Sequence, residues 1–214
     1  MLMEKTRKME AASTHTRENR TLALFDFDGT ITHKDSLFAF IRFVKGRSRF
    51  FWGMVRLLPM LIANKIGLIS NDKAKEKMLA FFFKGMNYAE FKRLGEKFCT
   101  EKLPEILKRA ALDKINWHRS KHHRVIVVSA SIEEWIRPWT ESLQIELICT
   151  EMEIKDNRLT GRFSTPNCNG KEKLKRIKEM VDLENYSIIY AYGDSKGDEA
   201  MLSIATKPLY QHFD

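Results

Sequence analysis

The segment Asp26-Phe27-Asp28-Gly29-Thr30-Ile31-Thr32 places two carboxylates at i and i+2, where the apolar run Thr21 to Phe25 gives way to a glycine turn. Aspartates so spaced at the end of a strand can converge on one site. The competing reading is an Asx-turn in which they satisfy loop amides. The full string behind an apolar strand is far rarer than a bare Asp-x-Asp and favours chemistry. Three further segments share this character. Ser129, with Ala130-Ser131, follows Val125 to Val128 and caps the next helix or holds an anion by its hydroxyl and nearby amides. Lys171 and Lys173 open a helix after Cys168-Asn-Gly, either as a solvated face or as ligands for charge. Gly193-Asp194 to Asp198 follows the apolar run from Ser187 to Ala191. Its two acidic groups suit turn caps, or, beside the Asp-x-Asp loop, a hard divalent cation.

The elements that must position these residues are legible in the hydrophobic pattern. Residues 21–25 read as a strand buried on both faces. From 36 to about 123 the pattern is helical, with Leu37, Phe38, Phe40, Ile41 and Val44, then Met78, Leu79, Phe82 and Phe83, at 3–4 spacing. Asn71-Asp72 is a plausible helix N-cap there, and Asn87 another. Strand-like runs return at 125–128, 147–149, 152–154, 159–163 and 187–191, with Asp156-Asn157 as a hairpin turn and helices at 132–143 and 171–181. The alternation predicts an α/β fold, a doubly wound, Rossmann-like parallel sheet with an inserted α-helical cap. The expected division is a mobile tail at 1–20, a core at 21–35 and 116–214, and a cap at 36–115. All four segments then fall at or near the carboxyl ends of strands, where open parallel sheets bind ligands.

In this order the four segments resemble the haloacid dehalogenase superfamily, and the helical insertion with Cys-x-Gly-x-x-Lys is similar to its subfamily IB, the branch of phosphoserine phosphatase and the phosphatidylglycerophosphate phosphatase C type. The resemblance implies a magnesium-dependent phosphatase. Asp26 would take the phosphoryl group as an aspartyl-phosphate, and Asp28 would act as acid and then base. Mg2+ would sit between Asp26, the Asp28 carbonyl and Asp194, with Asp198 holding its shell. Ser129, Ala130, Thr30 and Lys173 would bind phosphate. Asp35 and Arg56 are the cap candidates for substrate. The position of a cap arginine that grips a carboxylate falls near Glu76, and no arginine occurs between Leu57 and Lys92, which counts against phosphoserine. Gly197 replaces an asparagine common before the last acid. A phosphoserine phosphatase-like enzyme on a small soluble phosphate, and a catalytically silent phosphate- or lipid-binding relative, are the alternatives.

Charge shapes the expected partners. The 214 residues include 37 basic and 28 acidic ones, a net +9, which points to an anionic partner. Arg42, Lys45, Arg47, Arg49, Arg56 and Lys65 interleave with aromatic and aliphatic residues between 36 and 71, a stretch without an acidic residue. Arg56 and Pro59 argue against a spanning helix there. The stretch is either a cap helix packed on its neighbours or a peripheral contact with an anionic membrane. The expected substrate is a phosphorylated small molecule or lipid, with no nucleic acid, because no reading module accompanies the charge. Cys99, Cys149 and Cys168 read as reduced thiols of a cytoplasmic protein, peripheral on the inner membrane face at most. His118, His122 and His123 are expected at the surface rather than as metal ligands.

Overall fold

The computed structural model of the protein describes residues 20–213, so the expected tail lies outside the described residues, Arg20 excepted. Strand β1 (Thr21–Phe25) is the centre of a five-stranded sheet. Its neighbours are β2 (Arg124–Ile132) and β6 (Ile188–Gly193), flanked by β3 (Glu146–Thr150) and β7 (Lys207–Tyr210). The order is β3-β2-β1-β6-β7 and every pairing is parallel. Phe25 pairs with both Val127 and Tyr192, and Asp26 follows with its amide donating to the Tyr192 carbonyl at 2.9 Å.

Period-2 alternation splits the core. Leu22, Leu24, Ile126 and Val128 face one layer with Ile177 and Met201, the latter two from α6 (Lys171–Met180) and α7 (Glu199–Leu202). Ala23, Phe25, Val125 and Val127 face the other layer, which continues into the insertion after β1. That insertion holds α1 (Ser36–Lys65), α2 (Asn71–Phe83), α3 (Tyr88–Glu101) and α4 (Arg109–Ser120). Phe40 of α1 is its hub, stacked on Trp135 at 4.5 Å and edge-on to Phe91 and Phe98 at 5.5 Å. The hairpin β4 (Met152–Lys155) and β5 (Arg158–Phe163) packs on α2, and its turn residues Asp156 and Asn157 take φ of 50° and 57°, as the sequence suggests.

Several local expectations need correction. The N-cap of α2 is Ser70, not Asn71 or Asp72; its side chain accepts from the Lys73 amide. Asn87 does cap α3. Neither Ser129 nor Ser131 caps a helix, because β2 runs on to Ile132. The helix expected at 132–143 is instead a 3-10 turn at Glu133–Trp135 and the short α5 (Arg137–Ser142). His118 is fully buried, bonded by Nε2 to the Tyr192 hydroxyl at 3.0 Å and by Nδ1 to His123 at 2.8 Å. Burial, with His123 and Lys114 adding, pushes His118 down to about 3. Pro59 lies inside α1, and among the described residues no helix is long and apolar enough to cross a membrane. The cysteines are free and buried.

Gly95 of α3 meets the 133–135 turn so closely that a Cβ there would lie 2.2 Å from the Glu134 carbonyl oxygen. Alanine at a helix-interior glycine ordinarily gains up to about 1 kcal/mol. Here the clash is with backbone, and overpacking costs about 1–3 kcal/mol. Gly95→Ala is therefore expected to lower unfolding free energy in urea titration; a gain would show that α3 can move off the turn.

Candidate active site

Lys173 is only 1% exposed on the first turn of α6. Its Nζ donates to Asp26 and, at 2.7 Å, to Asp198 Oδ1. Burial alone would lower its pKa, but the two carboxylates outweigh it and raise the pKa. Lys171, the other candidate, is exposed. Asp198 is saturated by this arrangement. Its Oδ2 accepts from the Ser195 hydroxyl at 2.8 Å and from the amides of Ser195 and Asp194 at 3.0 and 3.2 Å, closing the loop after β6. Burial opposes its charge, yet Lys173 and Ser195 hold its carboxyl below the usual range. Asp26 is pushed up to about 7 because burial, with Asp198 and Asp28 adding, exceeds the pull of Lys173.

Carboxylate oxygens of Asp26, Asp194 and Asp198 lie within 4.8 Å of one another. Three carboxylates against one ammonium leave a formal −2, and an all-oxygen donor set suits a hard divalent cation. Asp194 is aimed by the Thr30 hydroxyl, which donates to its Oδ1 at 3.1 Å. Gly29, at φ 88°, leaves room for it: a Cβ there would meet Asp194 Oδ2 at 2.2 Å. Lys108 Nζ holds the Gly29 carbonyl at 2.6 Å from the helical side.

Asp28 is fixed differently. Its Oδ1 accepts from the Ser36 amide at 2.7 Å and its Oδ2 from the Ser131 hydroxyl. Ser131 Oγ in turn meets Ser36 Oγ at 2.8 Å, and Trp135 Nε1 donates to Ser36 Oγ at 3.0 Å. Ser129, fully buried, accepts the Ser131 amide at 2.9 Å and shapes the end of β2. Asp35 serves as the N-cap of α1, accepting from Leu37 and Phe38. Arg56 is exposed and lines a separate hollow with Trp52 and Phe81.

Sequence reasoning passed over Lys75. From α2 its Nζ reaches the Ala130 carbonyl at 2.6 Å. Burial lowers its pKa, while Asp28, Asp35 and Asp72 pull the other way. Glu76 beside it binds the Phe163 amide at 2.9 Å, so the position expected for a substrate arginine is structural. Ser131, read from the sequence only as a helix cap or anion ligand beside Ser129, and Ser36, an ordinary letter, are brought onto Asp28 by the fold.

The profile of the haloacid dehalogenase-like hydrolase family matches residues 23–203. The protein CicA of Caulobacter vibrioides is 32% identical over 194 residues, spanning 90% of this chain and 86% of that protein. A protein of Mycobacterium tuberculosis named as a probable phosphatase is 29% identical over 194 residues, spanning 86% of this chain and 66% of its own. A phosphoserine phosphatase solved with a phospho-aspartyl intermediate analogue superposes with a TM-score of 0.64 at 17% identity, covering 88% of this chain and 84% of that one. That last likeness is one of fold.

Replacing Lys173 by Met leaves two buried carboxylates facing each other without a cation. Removing one partner of a buried pair costs about 3–5 kcal/mol. Lys173→Met is expected to lose that much stability in urea with divalent cations chelated, and Lys173→Met/Asp198→Asn to recover part of it. An unchanged midpoint for the single variant would contradict this account of the site.

Proposed function

The chain belongs to the haloacid dehalogenase-like hydrolase family and is a phosphatase of that family, and we propose that it hydrolyses a phosphomonoester through an aspartyl-phosphate on Asp26, with a phospholipid headgroup phosphate as substrate. The observation that carries the catalytic part is the buried cluster in which Asp26 shares an ammonium with Asp198 beside Asp194. Family phosphatases generally use Mg2+, and the donor set fits it: Asp26 and Asp194 would hold the ion, with Asp198 fixing the loop that carries Asp194. When bound, the ion supplies positive charge that offsets repulsion between a carboxylate and a phosphate dianion.

The chain's own residues do the rest. An Asp26 oxygen bonds to phosphorus as the bond to the leaving oxygen breaks, and Asp28 gives that oxygen its proton. Water then attacks phosphorus, Asp28 takes the proton back, and Asp26 is released with inorganic phosphate. Lys173 neutralises charge beside Asp26, while Ser129 and the Ala130 amide supply donors at the end of β2. Residues 36–115 act as the cap over this site.

The lipid reading is supported by α1. Phe51, Trp52, Val55, Leu58 and Ile62 are exposed along its second half, Trp52 by 68%, and the stretch from 36 to 71 carries six basic residues and no acidic one. An apolar helical face flanked by arginine and lysine suits the boundary of an anionic bilayer.

Asp26→Asn is expected to abolish turnover of an aryl phosphate, and Asp28→Asn to slow it and trap phospho-enzyme visible by mass. Chelation of divalent cations should stop turnover and added Mg2+ restore it. Near wild-type rates in Asp26→Asn would sink the mechanism. For the membrane, each basic group near an anionic surface contributes on the order of 1 kcal/mol. Co-sedimentation with anionic vesicles should therefore be strong at low salt and weak at high salt, and faint with neutral vesicles. Efficient phosphoserine hydrolysis without vesicle binding would instead make the stretch ordinary cap packing.

A further inference from the structure

A break in α1 creates a second concavity. At Gly46, φ 78° and ψ 165° leave the helical region, and a Cβ there would meet nothing within 4 Å. In a straight helix Phe38 and Phe50 would stand about 18 Å apart along the axis. Their ring centroids are 6.3 Å apart, edge to face, so the two halves of α1 fold toward each other. Phe43, in contact with Phe98 of α3 at 5.7 Å, is the other aromatic wall. Between them lies a groove of about 720 Å3, which Ala39 and Ile106 also line. Its size is that of a small-molecule site, typically about 300–1,000 Å3.

The charge around it is one-sided. Lys34, Arg42, Arg47 and Lys102 line the groove against Asp35 and Glu105, a formal +2. Lys102 and Glu105 satisfy each other at 2.7 Å, and Asp35 caps α1. Among the described residues Lys34, Arg42 and Arg47 have no ion-pair partner. An aromatic floor under unpaired cations fits a molecule with an apolar chain and an anionic end. Asp35 is on this wall, and the next residue, Ser36, gives its amide to Asp28 at 2.7 Å, which sets the groove beside the reaction site. On its other side Phe50 leads directly to the exposed face beginning at Phe51 and Trp52.

We propose that this groove binds the acyl chain of a single-chain anionic amphiphile, holding the body of a lipid phosphate substrate between the bilayer-facing half of α1 and Asp26. This role deepens the lipid-phosphate reading and rests on it. Binding itself is measured without catalysis, using dodecanoate below its micellar concentration as the probe in calorimetry on the full chain. One saturable site is expected. Losing two methylenes removes on the order of tenfold in affinity, so decanoate should bind about that much more weakly. Dodecyltrimethylammonium should not compete.

Ala39→Trp, which fills the groove, and Arg42→Glu/Arg47→Glu, at two exposed positions that leave packing untouched, should each weaken dodecanoate at least tenfold. The charge variant and the chain-length series keep the test open should Ala39→Trp fail to fold. No saturable binding by the wild type, or equal binding by the charge variant, overturns the proposal. So does self-association that Ala39→Trp abolishes, since a second copy would then be the occupant. A wild-type chain that binds dodecanoate but turns over no phosphomonoester supports the groove and overturns the catalytic reading.

Discussion

An ammonium buried to 1% exposure between two carboxylates sets the terms for everything around it. Lys173 comes from α6, Asp26 from the end of β1 and Asp198 from the loop after β6, so one interaction ties three elements at the carboxyl edge of the sheet. Desolvating such charges costs several kcal/mol per ion and is recovered only with full hydrogen bonding. Asp198 meets that condition through Ser195 and two amides. Asp26 does not meet it to the same degree, and its raised pKa reflects the shortfall. A buried carboxylate left electrostatically incomplete beside Asp194 is an arrangement that an added divalent cation would favour.

The helical insertion is wired to this edge by both packing and hydrogen bonds. Phe40 stacks on Trp135, and Trp135 starts a chain through Ser36 and Ser131 to Asp28. The acid–base candidate is therefore held by the first residue of α1 and the end of β2 together. Lys75 on Ala130 and Asp72 on Asn167, at 2.7 Å, tie α2 down on the same side. These bonds join the insertion to residues at the carboxyl edge of the sheet, Asp28 among them.

Helix α1 divides at Gly46 into parts with different surroundings. Its first half buries Leu37, Phe40 and Ile41 in the core. Beyond the break apolar side chains face outward, and the bend brings Phe50 back to Phe38. A continuous helix with the same residues would have neither the groove nor an exposed face set apart from the core.

The sequence by itself determined four of the five strands of the sheet and the reactive letters. Short apolar runs ending in Asp-x-Asp, Ser and Gly-Asp, alternating with helical patterns, read as parallel strands buried on both faces. Hence Asp26, Asp28, Ser129, Asp194 and Asp198 are readable as residues at or near strand ends, and Lys173 as one that opens a helix. The tertiary structure alone decided what each one touches. Ser36, Ser131 and Lys75 carry no local pattern, because their partners lie 8, 103 and 55 residues away. His118 reads as a surface residue since its helix end is polar, but the rings of Phe25 in β1 and of Tyr190 and Tyr192 in β6 pack on it. Strand β7, with Pro208 and one half-buried leucine, lacks an apolar run and forms because β6 offers it an open edge. Local periodicity records burial, whereas hydrogen-bond partners depend on distances between elements, and those are fixed only once the chain has packed.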